Sequence, residues 1–165
     1  MTDVHSKEVR SRNMARIRSK NTKPEIMVRK FLFSKGFRYR IHVKSLPGKP
    51  DIVLKKYRTV IFINGCFWHG HENCPDFMIP QTRTEWWKNK IERNIERDRQ
   101  EKQELKNTGW NVMTIWECDL KPMKRTNTLL NIELLLQKTL LDLSRKTYIK
   151  KQGTKDLTAK DPDIS

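Results

Sequence analysis

The sequence predicts an α/β fold: a single domain with a mixed central sheet flanked by helices. Three observations carry that expectation. Stretches with apolar residues at helical spacing alternate along the chain with short extended runs. The runs Ile52 to Leu54, Thr59 to Ile63 and Trp110 to Trp116 are largely apolar on both faces, as strands covered by helices on two sides must be. The length of 165 residues suits one hydrophobic core.

The first 20 residues set Arg10, Arg12, Arg16, Arg18 and Lys20 around Val9, Met14 and Ile17, and read as a basic arm. Thr22-Lys23-Pro24-Glu25 is a capping-box start with proline in the first turn. Met27, Val28, Phe31 and Leu32 follow at helical spacing until Gly36, a natural stop. Phe37, Tyr39, Ile41 and Val43 alternate with Arg38, Arg40 and His42, the two-residue period of a strand with one wet, basic face. Leu46 to Asp51 is turn chemistry opening onto two adjacent buried strands. From Gly65 to Gln81 no periodicity survives, which predicts a loop held by something other than an apolar face.

Thr84 or Glu85 starts a long charged helix ending near Lys106, whose thin inward stripe is Ile91, Ile95, Asp98, Lys102 and Leu105. After Gly109 comes the third strand, and Thr126 to Leu143 is a last amphipathic helix rich in leucine. The division expected is an arm over 1–20, a folded domain over 21–143 and a disordered polar tail over 144–165.

Net charge is +16, of which +13 lies in residues 1–58 and +3 in the remainder. So large an excess points to a polyanionic partner, nucleic acid ahead of an anionic membrane surface. No run approaches the ~18 apolar residues of a membrane span, and the N-terminus lacks the apolar core of a signal peptide. A cytoplasmic protein with no membrane partner is expected. Its three cysteines, odd in number, are then core residues or metal ligands rather than a disulfide framework.

Cys66-x4-His71-x2-Cys74 gathers two thiols and an imidazole in the unsupported loop, and Cys118 arrives at the end of the third strand. That set suits a closed tetrahedral Cys3His zinc site of structural kind. The alternative is three unrelated buried cysteines and a surface histidine. Pro50-Asp51 entering one strand, with a second strand about a dozen residues on, is a layout by which nucleases hold a divalent cation, Asp51 giving a hard oxygen to Mg2+. A plain loop aspartate is the competing reading. The acidic-x-Lys signature common on that second strand is missing, since Phe62-Ile63-Asn64 stands there. His69, between two metal-ligand candidates, is then the candidate general base. Of Phe67, Trp68, Trp86 and Trp87, one or two are expected to be ordinary core and the others base-pair wedges, and sequence alone does not sort them.

With Leu46-Pro47-Gly48-Lys49-Pro50-Asp51, Gly65-Cys66-Phe67-Trp68-His69, Thr82-Arg83-Thr84-Glu85, Asn94-Ile95-Glu96-Arg97-Asp98 and Trp116-Glu117-Cys118 assembled, the chain closely resembles the very-short-patch repair (Vsr) endonucleases. The match spans about residues 3 to 120. The resemblance implies a restriction-endonuclease-like fold of the PD-(D/E)xK superfamily. It implies a Mg2+-dependent enzyme that nicks 5′ of the thymine in a T:G mismatch left by deamination of 5-methylcytosine. Position by position, Asp51 and the Ile63 carbonyl become Mg2+ ligands, and His69 the base. Glu25 and Asp98 become the carboxylates that hold waters around the metal, helix capping remaining an equal reading for Glu25. Cys66, His71, Cys74 and Cys118 become the Zn2+ ligands, Phe67, Trp68 and Trp87 a major-groove wedge, and Met14 the arm residue entering the minor groove.

A functional link to a DNA cytosine methyltransferase, contact with mismatch-repair proteins and a monomeric state follow from the same resemblance. Ile63-Asn64 stands where familiar members carry Thr-His. A carbonyl ligand survives any side chain, whereas Asn64 can hydrogen-bond a phosphate oxygen and cannot exchange a proton at neutral pH. Two rivals stay open: a restriction-type endonuclease that cuts both strands of a matched site, and a catalytically silent zinc-stabilised DNA-binding protein.

Overall fold

The computed structural model describes Val9, Arg12 and residues 20–158, with side chains as far as Ile149. Met14 and the rest of the expected arm lie outside the described residues. Helix α1, Lys23–Ser34, starts as its sequence dictates: the Thr22 hydroxyl accepts from the Glu25 N–H and the Glu25 carboxylate accepts from the Thr22 N–H. It stops at Gly36, whose φ of +82° suits a residue without a side chain.

The strand expected at 37–43 does not form. That segment touches the sheet through one bridge, Arg40 to Val53. His42 takes a φ of +55°, a left-handed conformation that ends any extended run.

Strand β1, Ile52–Leu54, pairs antiparallel with β2, Thr59–Asn64, in the register Ile52↔Ile61. Strand β3, Asn111–Trp116, runs parallel to β2 from Thr59↔Asn111 to Asn64↔Trp116. The sheet is therefore mixed, in the order β1-β2-β3. Parallel neighbours need a long crossover, and helix α2, Thr84–Asn107, provides it.

Alternate residues of the sheet feed two cores. Ile52, Leu54, Ile61 and Ile115 pack with Val28 and Leu32 of α1 and with Ile132 and Leu136 of the last helix. Val53, Val60 and Phe62 meet Leu105 of α2 on the other face. Burial on both faces is why these strands read as continuous apolar runs. On α2 the inward stripe is uneven, since Ile91 and Leu105 are buried whereas Ile95 is 42 % exposed.

Helix α3, Pro122–Thr158, begins earlier and runs further than its leucine pattern predicts, through much of the stretch expected to be a disordered tail. No glycine or proline interrupts the chain between Ser144 and Gly153, and lengthening an existing helix costs far less than starting one. No helix among the described residues is long and apolar enough to cross a membrane. Leu136 is fully buried and Leu134 is 61 % exposed on the same helix. Leu136→Ala should therefore cost ~2–5 kcal/mol in urea denaturation and Leu134→Ala less than ~0.5 kcal/mol; equal losses would contradict this helix orientation.

Candidate active site

The parallel register of β2 and β3 brings the loop's fastening points together. Asn64 lies opposite Trp116, so Cys66 and Cys118, each two residues on, leave the sheet side by side. The ligand atoms of Cys66, His71, Cys74 and Cys118 all lie within 4.8 Å of one another. The His71 Nδ1 is 3.5 Å from the Cys66 Sγ and 3.4 Å from the Cys118 Sγ. A tetrahedral ion with ~2.3 Å bonds to sulfur and ~2.0 Å bonds to nitrogen sets a sulfur and a nitrogen about 3.5 Å apart, which the two His71 distances match, so the cluster suits a metal. The His71 ring stacks on Trp116 at 4.0 Å, and its backbone N–H donates to the Cys66 carbonyl. Burial pushes the Cys66 thiol up to about 12 and the Cys118 thiol upward too, so a bound cation is what would stabilise thiolates here. The sequence-predicted ligand set is brought together in full.

A cleft of about 860 Å³ opens beside this cluster, lined among others by Glu25, Asp51, Ile63, Asn64 and His69. Asp51 sits just before β1, and its Oδ2 accepts from the Ile63 N–H at 2.7 Å. Val53 exchanges both backbone bonds with Arg40 on its other side, so Ile52 and Leu54 are the residues that bond β2, and Ile63 turns its N–H and C=O to the β1 side as well. Continued by two residues, the register would set Pro50 opposite Ile63, and proline has no N–H for that carbonyl. The Pro-Asp pair thus satisfies the Ile63 N–H with a carboxylate and supplies its C=O with no ladder donor. Burial raises the Asp51 pKa, opposed by the Ile63 bond and reinforced by the nearby Glu25 charge.

Glu25 is 4 % exposed and heavily engaged. Its Oε2 accepts from the Asn21 N–H at 3.0 Å and from Arg29 at 2.7 Å, and its Oε1 from the Thr22 hydroxyl at 2.9 Å. Only the Thr22 N–H contact, at 3.4 Å, is weak. Arg29 also reaches the Asp51 carbonyl at 3.3 Å, tying α1 to the start of β1.

His69 faces the cleft from the loop, and its Nδ1 is hydrogen-bonded to the Asp98 Oδ2 on α2. One turn earlier on α2, Asn94 donates to the Trp68 carbonyl at 3.0 Å. A carboxylate at Nδ1 makes that nitrogen the donor and leaves Nε2 as the acceptor. Burial works against the Asp98 charge, but the His69 hydrogen bond and the charges of His69, Lys102 and Arg97 hold its pKa below the ordinary value. Asp98 thus engages the imidazole directly. Arg29 and Asn94 escaped the sequence reading, although each carried a signal, an i,i+4 spacing from Glu25 and to Asp98.

Phe67, Trp68 and Trp87 form a cluster of edge contacts with centroids 5.2 to 6.0 Å apart, joined by Trp86 at 4.8 Å from Trp87. The expectation that one or two of the four are core does not hold, since none is buried and Trp86 is 51 % exposed. They lean on each other beside the loop that carries Cys66, His71 and Cys74, and no second layer of described residues covers them.

A buried carboxylate and a carboxylate-backed imidazole facing one cleft, braced by a metal-ligand cluster, define a hydrolytic site of the nuclease class. The family described as DNA mismatch endonuclease Vsr matches residues 2–76. The chain is 53 % identical over 121 residues to the type II nicking enzyme V.NmeAIP of Neisseria meningitidis serogroup A, covering 73 % of this chain and 86 % of that one. It is 46 % identical over 121 residues to the DNA mismatch endonuclease Vsr of Escherichia coli K12, covering 73 % and 77 %. With the type II nicking enzyme V.XorIIP of Xanthomonas oryzae it shares 46 % over 123 residues, covering 74 % and 90 %. The chain belongs to the Vsr family of DNA mismatch endonucleases.

The cluster generates a direct expectation. Cys118→Ser should release the metal, read by elemental analysis of the purified chain, and should lower the thermal midpoint, because the ligands close the loop onto β3. Unchanged metal content and midpoint would remove the metal from this site.

Proposed function

We propose that this chain nicks duplex DNA on the thymine strand, 5′ of the thymine in a T:G mismatch, with Mg2+ as the catalytic cation and Zn2+ as the structural one. The observation that carries the reading is the single cleft shared by Asp51 and the Asp98-backed His69. Family membership and a three-stranded mixed sheet between helical layers support assigning the domain to the restriction-endonuclease-like fold.

Asp51 and the Ile63 carbonyl would hold Mg2+, which supplies positive charge at the scissile phosphate when bound. Cys66, His71, Cys74 and Cys118 would hold Zn2+ with no vacant ligand position, so its contribution is to fix the loop. The His69 Nε2 accepts a proton from the attacking water, and Asp98 stabilises the imidazolium that results. The outer oxygen of Asp98, and the lone pair of the Glu25 Oε1 met only by the long Thr22 N–H contact, are suited to orient waters in the cleft. Asn64, 3 % exposed at the end of β2, donates a hydrogen bond to a phosphate oxygen and moves no proton.

Phe67, Trp68 and Trp87 are assigned to wedging beside the mismatch from the major groove, and Met14 to entry from the minor groove. Because T:G pairs arise when 5-methylcytosine loses its amine, the functional partner is a DNA cytosine methyltransferase acting in the same sequence context. We assign the protein to the cytoplasm as a monomer, with contact to mismatch-repair proteins.

The test uses end-labelled T:G duplexes in candidate methyltransferase contexts beside matched controls. A Mg2+-dependent nick confined to the thymine strand is expected. Asp51→Ala and His69→Ala should each lower the single-turnover rate by ~10²-fold or more. Asp98→Asn, which keeps the shape but no longer favours the Nε2-acceptor tautomer, should also lower it by about 10²-fold with the fold intact. Cutting of both strands in matched DNA would indicate the restriction-type enzyme, and tight binding without any nick the silent zinc protein.

A further inference from the structure

Behind His69, on the side away from Asp51, lies a second pocket of about 480 Å³ that shares Lys49, Asn64 and His69 with the first. Its far wall is α2, which contributes Arg97, Asp98, Glu101 and Lys102. Lys102 is the odd member of the helix's inward stripe. It is half-buried, its ammonium lies 5.8 Å from the Phe62 ring centroid, and among the described residues it forms no ion pair. Burial shifts its pKa downward, opposed by Asp98 one turn away. Asp98 is already engaged by His69 and Arg97, so this partly desolvated cation is only partly compensated and favours an anion. Arg97 is already engaged by Asp98, and the charged residues lining the pocket leave one positive charge over.

We propose that this pocket receives a DNA backbone phosphate neighbouring the scissile one, with Lys102 as its half-buried anchor. The inference rests on the nuclease reading above. A strand whose reacting phosphate lies between Asp51 and His69 passes over the shared wall into this pocket, where the Lys102 ammonium meets the next charge. The chain thereby gains a phosphate contact from the helix that also carries Asp98, so strand binding and the placement of the imidazole share one support. Lys102 is a binding and positioning residue and takes no part in proton transfer.

The experiment measures binding to a T:G duplex across a salt series with Mg2+ omitted, for the native chain, Lys102→Met, which keeps the stem over Phe62, and Lys102→Arg. Losing one phosphate contact should weaken binding and reduce the slope of log K against log salt by about 0.9. Lys102→Arg should restore both. Uncharged methylphosphonates placed singly at each phosphate flanking the nick should include one position that weakens the native chain and leaves Lys102→Met unaffected. An unchanged slope in Lys102→Met, or equal penalties for both proteins at every position, overturns the proposal. If Lys102→Met does not fold, Lys102→Gln carries the same comparison, and a native chain indifferent to every flanking methylphosphonate refutes the pocket by itself. Failure of the nuclease reading is seen separately, as a native chain that gives no nick when Mg2+ is restored.

Discussion

Parallel strands cannot be joined by a tight turn, and β2 and β3 lie parallel with Asn64 beside Trp116. The chain must leave the sheet at that edge, travel the length of the domain and return from the other end. Two consequences follow from this one pairing. The return path is α2, laid across the sheet so that Asn94 and Asp98 hold Trp68 and His69 in place. The exit points of both strands fall together, so thiols two residues beyond each are neighbours in the Cys3His cluster. Disturbing the register would separate the members of the Cys3His cluster and unseat the imidazole together.

Charge in the cleft is distributed by the same economy of position. Glu25 is matched by Arg29, and Asp98 by His69. Among the described residues the Asp51 carboxylate has only a backbone N–H for a hydrogen-bond partner, and burial raises its pKa. A buried ion pair such as Glu25–Arg29 adds little net stability, because desolvation offsets most of the attraction. Its structural effect is plainer: the guanidinium spans from α1 to the Asp51 carbonyl and so aligns the helix with the start of β1, where the Asp51 carboxylate faces the cleft. The glycine at position 70 serves a similar end, since a side-chain carbon there would come within 2.5 Å of Ile95. The loop can press against α2 only because that carbon is missing.

Much of the architecture was legible from local rules. The capping box at Thr22 and Glu25, the apolar runs of the three strands and the limits of α2 all follow from spacing and end signals that need no tertiary partner. Where local rules misled, a specific competitor intervened. The alternation from Phe37 to Val43 is genuine, but the left-handed His42 ends the extension after a single bridge. The polar composition after Ser144 has too little apolar surface to fold alone, yet it continues α3 because the nucleus already exists.

For the site, the sequence by itself determined the inventory: an aspartate after a proline, a histidine between metal-ligand candidates, three cysteines in the right order, and a basic N-terminal third. These are readable because each chemistry demands a residue type at a spacing along the chain. The partnerships were decided by the tertiary structure. Nothing in the order of residues says that Asp98 seats the His69 imidazole, that Arg29 joins Glu25 to Asp51, or that Lys102 faces a pocket whose lining carries one positive charge in excess. Those relations span separations of 22 and 29 residues and exist only once the helices are packed on the sheet. Hydrogen bonds and desolvation depend on distance in space, which sequence separation does not encode.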